Sequence, residues 1–412
     1  MMEKIGKYIT NYIKGKTPKV LFDSELLDTL PYLSPDYLRG VSNPELYAKQ
    51  DAKTIVIDDG EVIVLWDGSN AGEILISKKG ILASTMTMLK FDKTEINKAY
   101  FGYSFQNLEY ILKAKTAGSG IPHADKGVIS KLEFYKPSLP EQTAIANILS
   151  KVDEAIAAVQ GSIAAAERLK KSLMQNLLTG RMKPDGTLRK DDEFYMDEKF
   201  GKVPKGWEVK RLKDICLNSG DYGANASAID YDETKPRFIR ITDIDDFGQL
   251  LEDGKAGMAG DNYSKYLLEE DDFLFARTGD TVGKSLLYKK EMGLAVYAGY
   301  LIKFSFDKSK VLPEYFDLIA KSEFFEAFKI AMKRVGAKPN INSREYCSFR
   351  FLLPSDTEEQ KEIYRKFANI DKSQKSKQQK ITTLERLKKS LMQNLLTGRV
   401  RVKEKTFKYY NI

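Results

Sequence analysis

The stretch "ERLKKSLMQNLLTGR" occurs twice in this chain, at residues 167–181 and, letter for letter, at residues 385–399. The two copies are 218 positions apart in a chain of 412 residues, and the segments before them are much less alike. A repeat at this spacing indicates two halves of similar design, each ending in the same segment.

A long helix is predicted to contain the first copy. Ser138 and Glu141 match a capping box, which would satisfy two amides at a helix start, while Thr179 and Gly180 supply a stop. Between them, apolar residues recur mostly at alternating intervals of four and three, as in the seam of a coiled coil. The predicted seam consists of Ile145, Leu149, Val152, Ile156, Val159, Ile163, Ala166, Leu169, Leu173 and Leu177. The pattern predicts one helix of about 40 residues, roughly 60 Å long at 1.5 Å per residue.

The second half repeats this helix. Ser355 and Glu358 match the same capping box, and Gly398 marks the end. The predicted seam consists of Ile363, Phe367, Ile370, Ile381, Leu384, Leu387, Leu391 and Leu395. At its centre Gln374 and Lys377 are polar, and such a pair costs stability but can fix the register of two helices.

Ahead of each helix lies a mixed segment with short β-like runs and many aromatic residues. The two segments correspond, because Gly68 and Gly72 match Gly279 and Gly283, 211 positions later. If both helices bury their seams together, the repeat makes them antiparallel about a pseudo-two-fold axis. The predicted fold class is α+β, with two α/β globular domains separated by two long antiparallel coiled-coil helices in a pseudo-two-fold internal repeat.

Six segments are predicted from these patterns. They are a globular domain at residues 1–137, a helix at 138–180, a connector at 181–203, a second globular domain at 204–354, a second helix at 355–398 and a basic tail at 399–412. Each globular segment is long enough to bury a core of its own.

The composition favours an acidic partner such as nucleic acid, because 66 Lys and Arg against 58 Asp and Glu give a net charge of +8. Cys216, Cys347 and His123 are the only cysteines and histidine, too few for a four-ligand structural zinc site. They do not suggest a disulfide framework, which fits a reducing compartment. Without a stretch of about 18 apolar residues or a signal-peptide pattern, we expect a cytoplasmic protein that does not enter membranes.

Two stretches are similar to enzyme motifs without meeting their requirements. "ARTGDTVGKS" at residues 276–285 has three residues between its glycines where a phosphate-binding loop needs four, and strand-like sequence follows where a helix is required. Asp185, Asp197 and Lys199 loosely match a nuclease pattern but lie in the polar connector, which we interpret as a solvated linker. His123 has no Cys or Ser partner nearby in the sequence. We therefore predict no catalytic residue, no metal site and no cofactor.

The glycine-containing turns are the predicted DNA-facing edges, because glycines let backbone amides approach phosphates. The predicted DNA contacts are Trp66, Ser69, Asn70, Arg277, Thr278, Lys284 and Lys338. A plain hairpin remains the alternative interpretation for each of them.

The repeated fifteen residues contain more than the leucines of a seam. The matched polar residues are Lys170, Lys171, Gln175 and Asn176 in the first copy and Lys388, Lys389, Gln393 and Asn394 in the second. A recent duplication with solvated polar faces is one interpretation. The other is that both copies meet identical partner surfaces, since two-fold-related patches can bind two copies of one partner.

The helix signature, which ends twice in the repeat and each time follows an α/β segment, resembles the specificity subunit of type I restriction–modification systems. "VPKGWEVKRLKDI" at residues 203–215 is similar to the lead-in of a target recognition domain in that family, and "IGKYITNYIKGKTPK" at residues 5–19 to the part that follows it. Two departures are that the first domain has no "PKGW" lead-in and that "SGDYGANAS" replaces the Gly-Lys-Thr-Pro stretch in the second.

The resemblance implies a non-catalytic subunit that binds double-stranded DNA. Each target recognition domain would read one half of a split, asymmetric site, and the paired helices would set the spacing and dock two adenine methyltransferase subunits. Motor-nuclease subunits would complete a complex that cuts unmodified DNA. The alternatives are a coiled-coil scaffold whose globular ends bind protein ligands, and a stand-alone enzyme.

Overall fold

The computed structural model describes residues 1–116, 122–332 and 339–402. The chain forms two compact units: unit 1 comprises Met1–Gly161 and the chain from Lys377 onward, and unit 2 comprises Ser162–Ser376. Each unit contains an α/β domain together with one half of each long helix. The internal repeat predicted from the sequence is confirmed.

The strands and helices are numbered in chain order. The strands are β1 (Met2–Lys4), β2 (Ile9–Lys14), β3 (Thr29–Pro31), β4 (Tyr47–Lys49), β5 (Val56–Ile57), β6 (Val62–Leu65), β7 (Ile74–Ile76), β8 (Gly80–Ile81), β9 (Met86–Phe91), β10 (Glu133–Tyr135), β11 (Phe194–Asp197), β12 (Gly201–Pro204), β13 (Trp207–Arg211), β14 (Asp221–Tyr222), β15 (Ala228–Asp230), β16 (Arg237–Ile239), β17 (Ala256–Met258), β18 (Phe273–Ala276), β19 (Ser285–Leu287), β20 (Ala295–Tyr297), β21 (Leu301–Phe304) and β22 (Arg350–Pro354). The α-helices are α1 (Pro35–Arg39), α2 (Lys98–Ala114), α3 (Lys126–Lys131), α4 (Leu139–Leu177), α5 (Leu212–Ile215), α6 (Pro313–Ala320), α7 (Glu323–Met332), α8 (Ser343–Cys347) and α9 (Thr357–Leu395). Single 3-10 turns lie at Ile5–Lys7, Asp191–Glu193, Ile241–Asp243, Ser264–Tyr266, Gly279–Thr281 and Lys290–Met292.

Unit 1 is built around an antiparallel sheet in the order β2-β9-β6-β7. Successive side chains of a strand face opposite sides of a sheet. Accordingly, Val62 and Val64 of β6 join a core cluster with Phe101 of α2, whereas Ile63 and Leu65 join a separate cluster. Because both faces of β6 are buried, its sequence "VIVL" is apolar throughout rather than alternating.

Unit 2 has a matching antiparallel sheet in the order β14-β21-β18-β19. Phe273 and Phe275 of β18 pack into the main core, and the Phe275 ring stacks on Tyr346 with 4.6 Å between centroids. Leu274 lies in a second cluster on the opposite face. Unit 2 carries a further sheet, β15-β17-β16-β20, in which β16 and β20 are parallel.

The connector at residues 181–203 is mostly exposed, and part of it has regular structure. β11 and β12 form an antiparallel hairpin there, with Phe194 opposite Pro204. The carboxylates of Asp185 and Asp197 accept hydrogen bonds from nearby backbone amides, those of Thr187 and Lys199. The nuclease-like pattern thus consists of turn residues in a largely exposed connector that contains a short hairpin.

The long helices α4 and α9 each have 39 residues, and a shift of 218 positions converts the bounds of one into those of the other. The capping boxes predicted at their starts are wrong. Both carboxylate oxygens of Glu141 instead accept hydrogen bonds from Arg401, at 2.8 and 2.7 Å. At α9 the amide of Glu358 is satisfied by Asp356, whose Oδ1 lies 2.9 Å away.

The α4 and α9 halves within each unit are joined by an equivalent ion pair. In unit 2 Lys170 Nζ lies 2.5 Å from Asp371 Oδ1, and in unit 1 Lys388 Nζ lies 2.6 Å from Asp153 Oδ1. The shift of 218 positions converts one pair into the other. In unit 1 the Arg401–Glu141 contact also brings the start of α4 to the chain just after α9, so the two halves are antiparallel there.

The seam differs from the prediction at one pair of positions. Leu169 and Leu387, assigned to the seam, are 53% and 47% exposed. Alternating intervals of three and four from Ile163 pass through position 170 rather than 169. A half-buried lysine, Lys170 or Lys388, therefore occupies the seam and is compensated by the ion pair described above.

A buried glutamine fastens each globular domain to the start of its long helix. In unit 1, Gln142 Oε1 accepts from the amide of Asn97 at 2.8 Å, while its Nε2 donates to the carbonyls of Glu95 and Pro137. In unit 2, Gln360 makes the equivalent three bonds, to Leu312 N and to the carbonyls at positions 310 and 354. Asn97 and Leu312 are the N-cap residues of α2 and α6, so each glutamine connects two helix starts.

Unit 1 is expected to lose stability in acid through Glu141. The hydrogen bonds from Arg401 hold the pKa of this carboxyl below its ordinary 4.5, although partial burial opposes the shift. Because the folded-state pKa is depressed, the stabilisation is present above pH 4.5 and is lost as pH falls through the lower, folded-state value. We expect Glu141→Gln to lower the urea midpoint of unit 1 at neutral pH and to flatten its decline in acid.

Glu154→Gln is a matched control, since Glu154 is exposed on the same helix. An unchanged acid profile in Glu141→Gln would contradict this role of the Arg401 pair.

Within residues 1–116, 122–332 and 339–402, no helix combines the length and apolarity needed to cross a membrane.

Candidate nucleic-acid interface and docking faces

Turn 1, residues 66–73, joins β6 to β7 in unit 1. Gly68 and Gly72 have φ angles of 112° and 87°, in a region that side chains with a Cβ rarely adopt. Gly72 N donates to Leu65 O at 2.8 Å, which closes the hairpin. Ser69 and Asn70 are exposed at its tip, so both predicted DNA contacts lie where a ligand has access to them.

Trp66 lies at the base of turn 1 and is half-buried. Its ring meets Tyr12 of β2 edge to face, with 6.1 Å between centroids. Lys126 of α3 places its Nζ 5.0 Å from the centroid of the Tyr12 ring, a cation–π contact. These aromatic and cationic groups suit a surface that meets nucleic acid.

Asp67 anchors turn 1 through His123 and Lys14. Its carboxylate lies 2.6 Å from His123 Nδ1 and 3.0 Å from Lys14 Nζ. Burial raises the pKa of Asp67, but the hydrogen bonds from His123 and Lys14 outweigh it, so the net shift is downward. His123, expected to be a loop residue without a catalytic partner, has a positioning contact with this turn.

Turn 2, residues 277–284, joins β18 to β19 in unit 2 and corresponds to turn 1. Gly283 N donates to Ala276 O at 2.9 Å, the equivalent of the hairpin bond in turn 1. Strand β19 follows turn 2 where a phosphate-binding loop would require a helix, in agreement with the sequence prediction. Thr278 is half-buried, and its carbonyl accepts from Thr281 Oγ1.

The charged residues of turn 2 differ in how they are engaged. Lys284 forms an ion pair with Asp246 at 2.8 Å, so DNA would have to compete for it. The Arg277 guanidinium lies over the Tyr222 ring, 4.8 Å from its centroid. Lys338, the remaining predicted contact, lies outside the described residues.

Tyr12 and Tyr222, which were not predicted from the sequence, contact equivalent positions of the two turns. Each lies on the edge strand of its sheet, more than fifty positions before the residue that it contacts. The two tyrosines are 210 positions apart in the sequence, and the two turns are 211 positions apart. This near match could have identified the tyrosines as an equivalent pair.

The matched polar residues of the repeat divide into internal and exposed groups. Lys170 and Lys388 form the ion pairs described above. The side-chain amides of Asn176 and Asn394 donate to carbonyls four residues earlier on their own helices. Gln175 donates to Glu323 at 2.9 Å. Lys171, Lys389 and Gln393 are exposed. Leu169 and Leu387, predicted to lie in the seam, are exposed beside them.

In unit 2 a groove of about 1780 Å³ runs between the repeat segment and turn 2. Its walls include Lys171 and Gln175 of α4, and Asp280 and Lys284 of turn 2. The DNA-facing and docking candidates of this unit thus border one continuous depression. Among the described residues, no three His, Cys, Asp or Glu side chains converge as metal ligands would.

A family model described as the type I restriction modification DNA specificity domain matches residues 7–168 and again residues 204–386. The type I restriction enzyme MjaVIII specificity subunit of Methanocaldococcus jannaschii is 31% identical over 415 residues, which span 98% of this chain and 93% of that protein. The MjaIX specificity subunit of the same organism is 27% identical over 284 residues, 68% of this chain and 62% of that one.

Two solved structures share the fold. The S subunit of a type I restriction–modification system from M. genitalium superposes with a TM-score of 0.59 at 15% identity, covering 96% of both chains. A chain from a structure describing assembly and conformational transition of the type I system gives 0.54 at 13% identity, covering 96% of this chain and 97% of that one. Since the family model matches most of the sequence, in both halves, this chain belongs to the family of type I restriction–modification DNA specificity domains, of which it carries two.

Proposed function

We propose that the chain is the DNA specificity subunit of a type I restriction–modification complex and acts in the cytoplasm. Each unit reads one half of a split, asymmetric DNA site in the major groove. The long helices fix the distance between the half-sites and dock two adenine methyltransferase subunits, and motor-nuclease subunits join them for cleavage. The chain itself supplies recognition and no chemistry.

The observation that carries this proposal is the pair of equivalent turns with different side chains. Turns 1 and 2 close with the same hairpin bond, yet Trp66 in one stands where Arg277 stands in the other. A common scaffold with different contact residues suits two readers of unlike sequences, since base edges are distinguished by the groups that face them. Ser69, Asn70, Thr278, Lys284 and Lys338 complete the proposed DNA contacts.

Docking is supported by the repeat itself. The equivalent ion pairs Lys170–Asp371 and Lys388–Asp153 orient the two copies of the repeat alike. Each copy then exposes the same leucine and lysine, and two faces of the same composition suit two copies of one partner. The proposed docking faces are formed by Leu169, Lys171, Gln175 and Asn176 in unit 2 and by Leu387, Lys389, Gln393 and Asn394 in unit 1, with Lys170 and Lys388 at their edges.

Methylation mapping tests the proposal and its geometry together. The chain assembled with its methyltransferase subunits is expected to produce a motif of two specific half-sites separated by unspecified bases. Deleting one heptad from each helix, residues 154–160 and 372–378, preserves the seam and removes about 10 Å. We expect the unspecified spacer to shorten by about three base pairs, at 3.4 Å per base pair.

A length-matched control carries Glu154→Ala, Gln160→Ala and Gln378→Ala at exposed positions of the same helices and should retain the original spacer. A single contiguous motif would refute bipartite reading. If the double deletion left the spacer unchanged in an assembled complex, the helices would not set the distance.

A further inference from the structure

We propose that Arg277 and Tyr222 form a preassembled guanine-reading site in unit 2, in which the guanidinium donates hydrogen bonds to O6 and N7 of one guanine. The proposal rests on the function proposed above. It goes further because it names a base, the residue that reads it and the half of the site that contains it.

The main chain of Arg277 is fixed on both sides. Its amide donates to Tyr300 O at 3.0 Å, and its carbonyl accepts from Ile341 N at 2.9 Å. Because the backbone is held at both groups, the side chain has a defined starting direction from the end of β18.

Tyr222 provides a fixed platform for the guanidinium. It pairs with Ile302 in the sheet, and its hydroxyl accepts a hydrogen bond from the amide of Ser343 at 3.1 Å. The guanidinium carbon lies 4.8 Å from the ring centroid, where the planar group is held by cation–π attraction. Tyr222 is therefore the positioning residue of the site, and Arg277 is the one that contacts DNA.

The side-chain donors of Arg277 have no acceptor among the described residues. Its Nε is buried and has no hydrogen-bond partner, and in the part of the chain that the structure describes its guanidinium makes no ion pair or hydrogen bond. Arg237, whose Nε is also unpaired, at least donates to the carbonyl of Leu251. The Nη groups are not among the buried unpaired atoms, so they are accessible and can donate to an acceptor that arrives with a ligand.

Asp280 favours a base edge over a phosphate as that acceptor. It is exposed three residues further along turn 2 and has no ion-pair partner within the described ranges. A carboxylate repels phosphate, whereas it accepts a hydrogen bond from N4 of cytosine, the base paired with guanine. A rigid arginine fork matches the O6 and N7 acceptors of guanine better than those of any other base.

Unit 1 has no guanidinium at position 66, which corresponds to Arg277 of unit 2. Trp66 and Ser69 stand where unit 2 has Arg277 and Asp280, and Trp66 has a single ring N–H in place of a two-donor fork. The guanine contact is therefore assigned to the half-site of unit 2 alone.

The test uses the full chain assembled with its methyltransferase subunits. Methylation mapping first gives the wild-type motif, and Trp66→Ala, which should alter only the unit 1 half-site, identifies that half. Competition binding then compares wild type, Arg277→Lys and Arg277→Ala on duplexes in which each base pair of the unit 2 half-site is replaced in turn. Arg344→Ala is the control, because it removes the same charge from an exposed position on α8.

We expect one guanine in the unit 2 half-site at which wild type discriminates by about tenfold or more, as one bidentate base contact provides. Arg277→Lys should weaken that discrimination, because an ammonium replaces the planar two-donor fork, and should keep the other positions, whereas Arg344→Ala should keep all of them. Because lysine retains the charge, the Arg277→Lys variant distinguishes a base contact from a phosphate contact even if the alanine variant fails to fold.

Three results would overturn the inference: equal weakening on every duplex by both Arg277 variants, as for a phosphate contact; relaxation at an A·T pair; or an unchanged half-site. In each case a bipartite wild-type motif would leave the proposed function standing. A wild-type complex without a bipartite motif would instead refute the proposed function.

Discussion

Aspartate at both Leu169 and Leu387 is expected to abolish methylation by preventing the methyltransferase subunits from docking. The two leucines are 53% and 47% exposed and occupy identical places in the repeat, so a symmetric pair of partners would bury both. Each substitution removes an apolar contact and places a charge in the interface. A central contact of this kind contributes about 2 kcal/mol or more, a loss of roughly thirtyfold in affinity per site.

A single substitution tests whether each leucine belongs to a separate docking face. Leu169→Asp alone should leave one docking face, so size-exclusion chromatography with light scattering should show one methyltransferase per chain in place of two. Leu217→Asp is the matched control, since Leu217 is 73% exposed and lies outside both helices. Two partners bound to the double variant at wild-type affinity would show that these faces are not the docking sites.

The long helices could be predicted closely from the sequence because a seam of this length has few other interpretations. The errors in detail had local causes. An apolar side chain makes Leu169 a candidate for the seam, but uninterrupted spacing requires position 170, where Asp371 forms an ion pair with the Lys170 ammonium. Glu141 fits a capping box by spacing, yet Arg401, 260 residues away, binds its carboxylate more strongly than a backbone amide would.

Only part of the candidate DNA site could be predicted from the sequence. Repeated glycines located both turns, because a tight hairpin has a recognisable local pattern. The partners of the turn residues depend on sheet order, which brings Tyr12 to Trp66 and Tyr222 to Arg277. The second sheet of unit 2 was not predicted for the same reason, since its strands are three residues long and β16 pairs with β20 across a long separation.

Replacement of Gln142 or Gln360 by alanine is expected to detach one globular domain from its helix start. Both side chains are fully buried, and each satisfies one backbone amide and two carbonyls. Removing either leaves those groups buried without partners, which costs about 2–4 kcal/mol. The damage should be local: in hydrogen exchange, Gln142→Ala should deprotect the amide of Asn97, and Gln360→Ala that of Leu312.

Gln160 and Gln378 provide matched controls, because they are exposed on the same two helices and are themselves related by the shift of 218 positions. Their alanine variants should change stability by less than about 0.5 kcal/mol. Because a loosened domain can still hold its reading turn, Gln360→Ala should broaden the spacer lengths that are methylated more than it changes the bases of the half-site. Wild-type protection at Leu312 in Gln360→Ala would mean that the core contacts of unit 2 suffice without the glutamine.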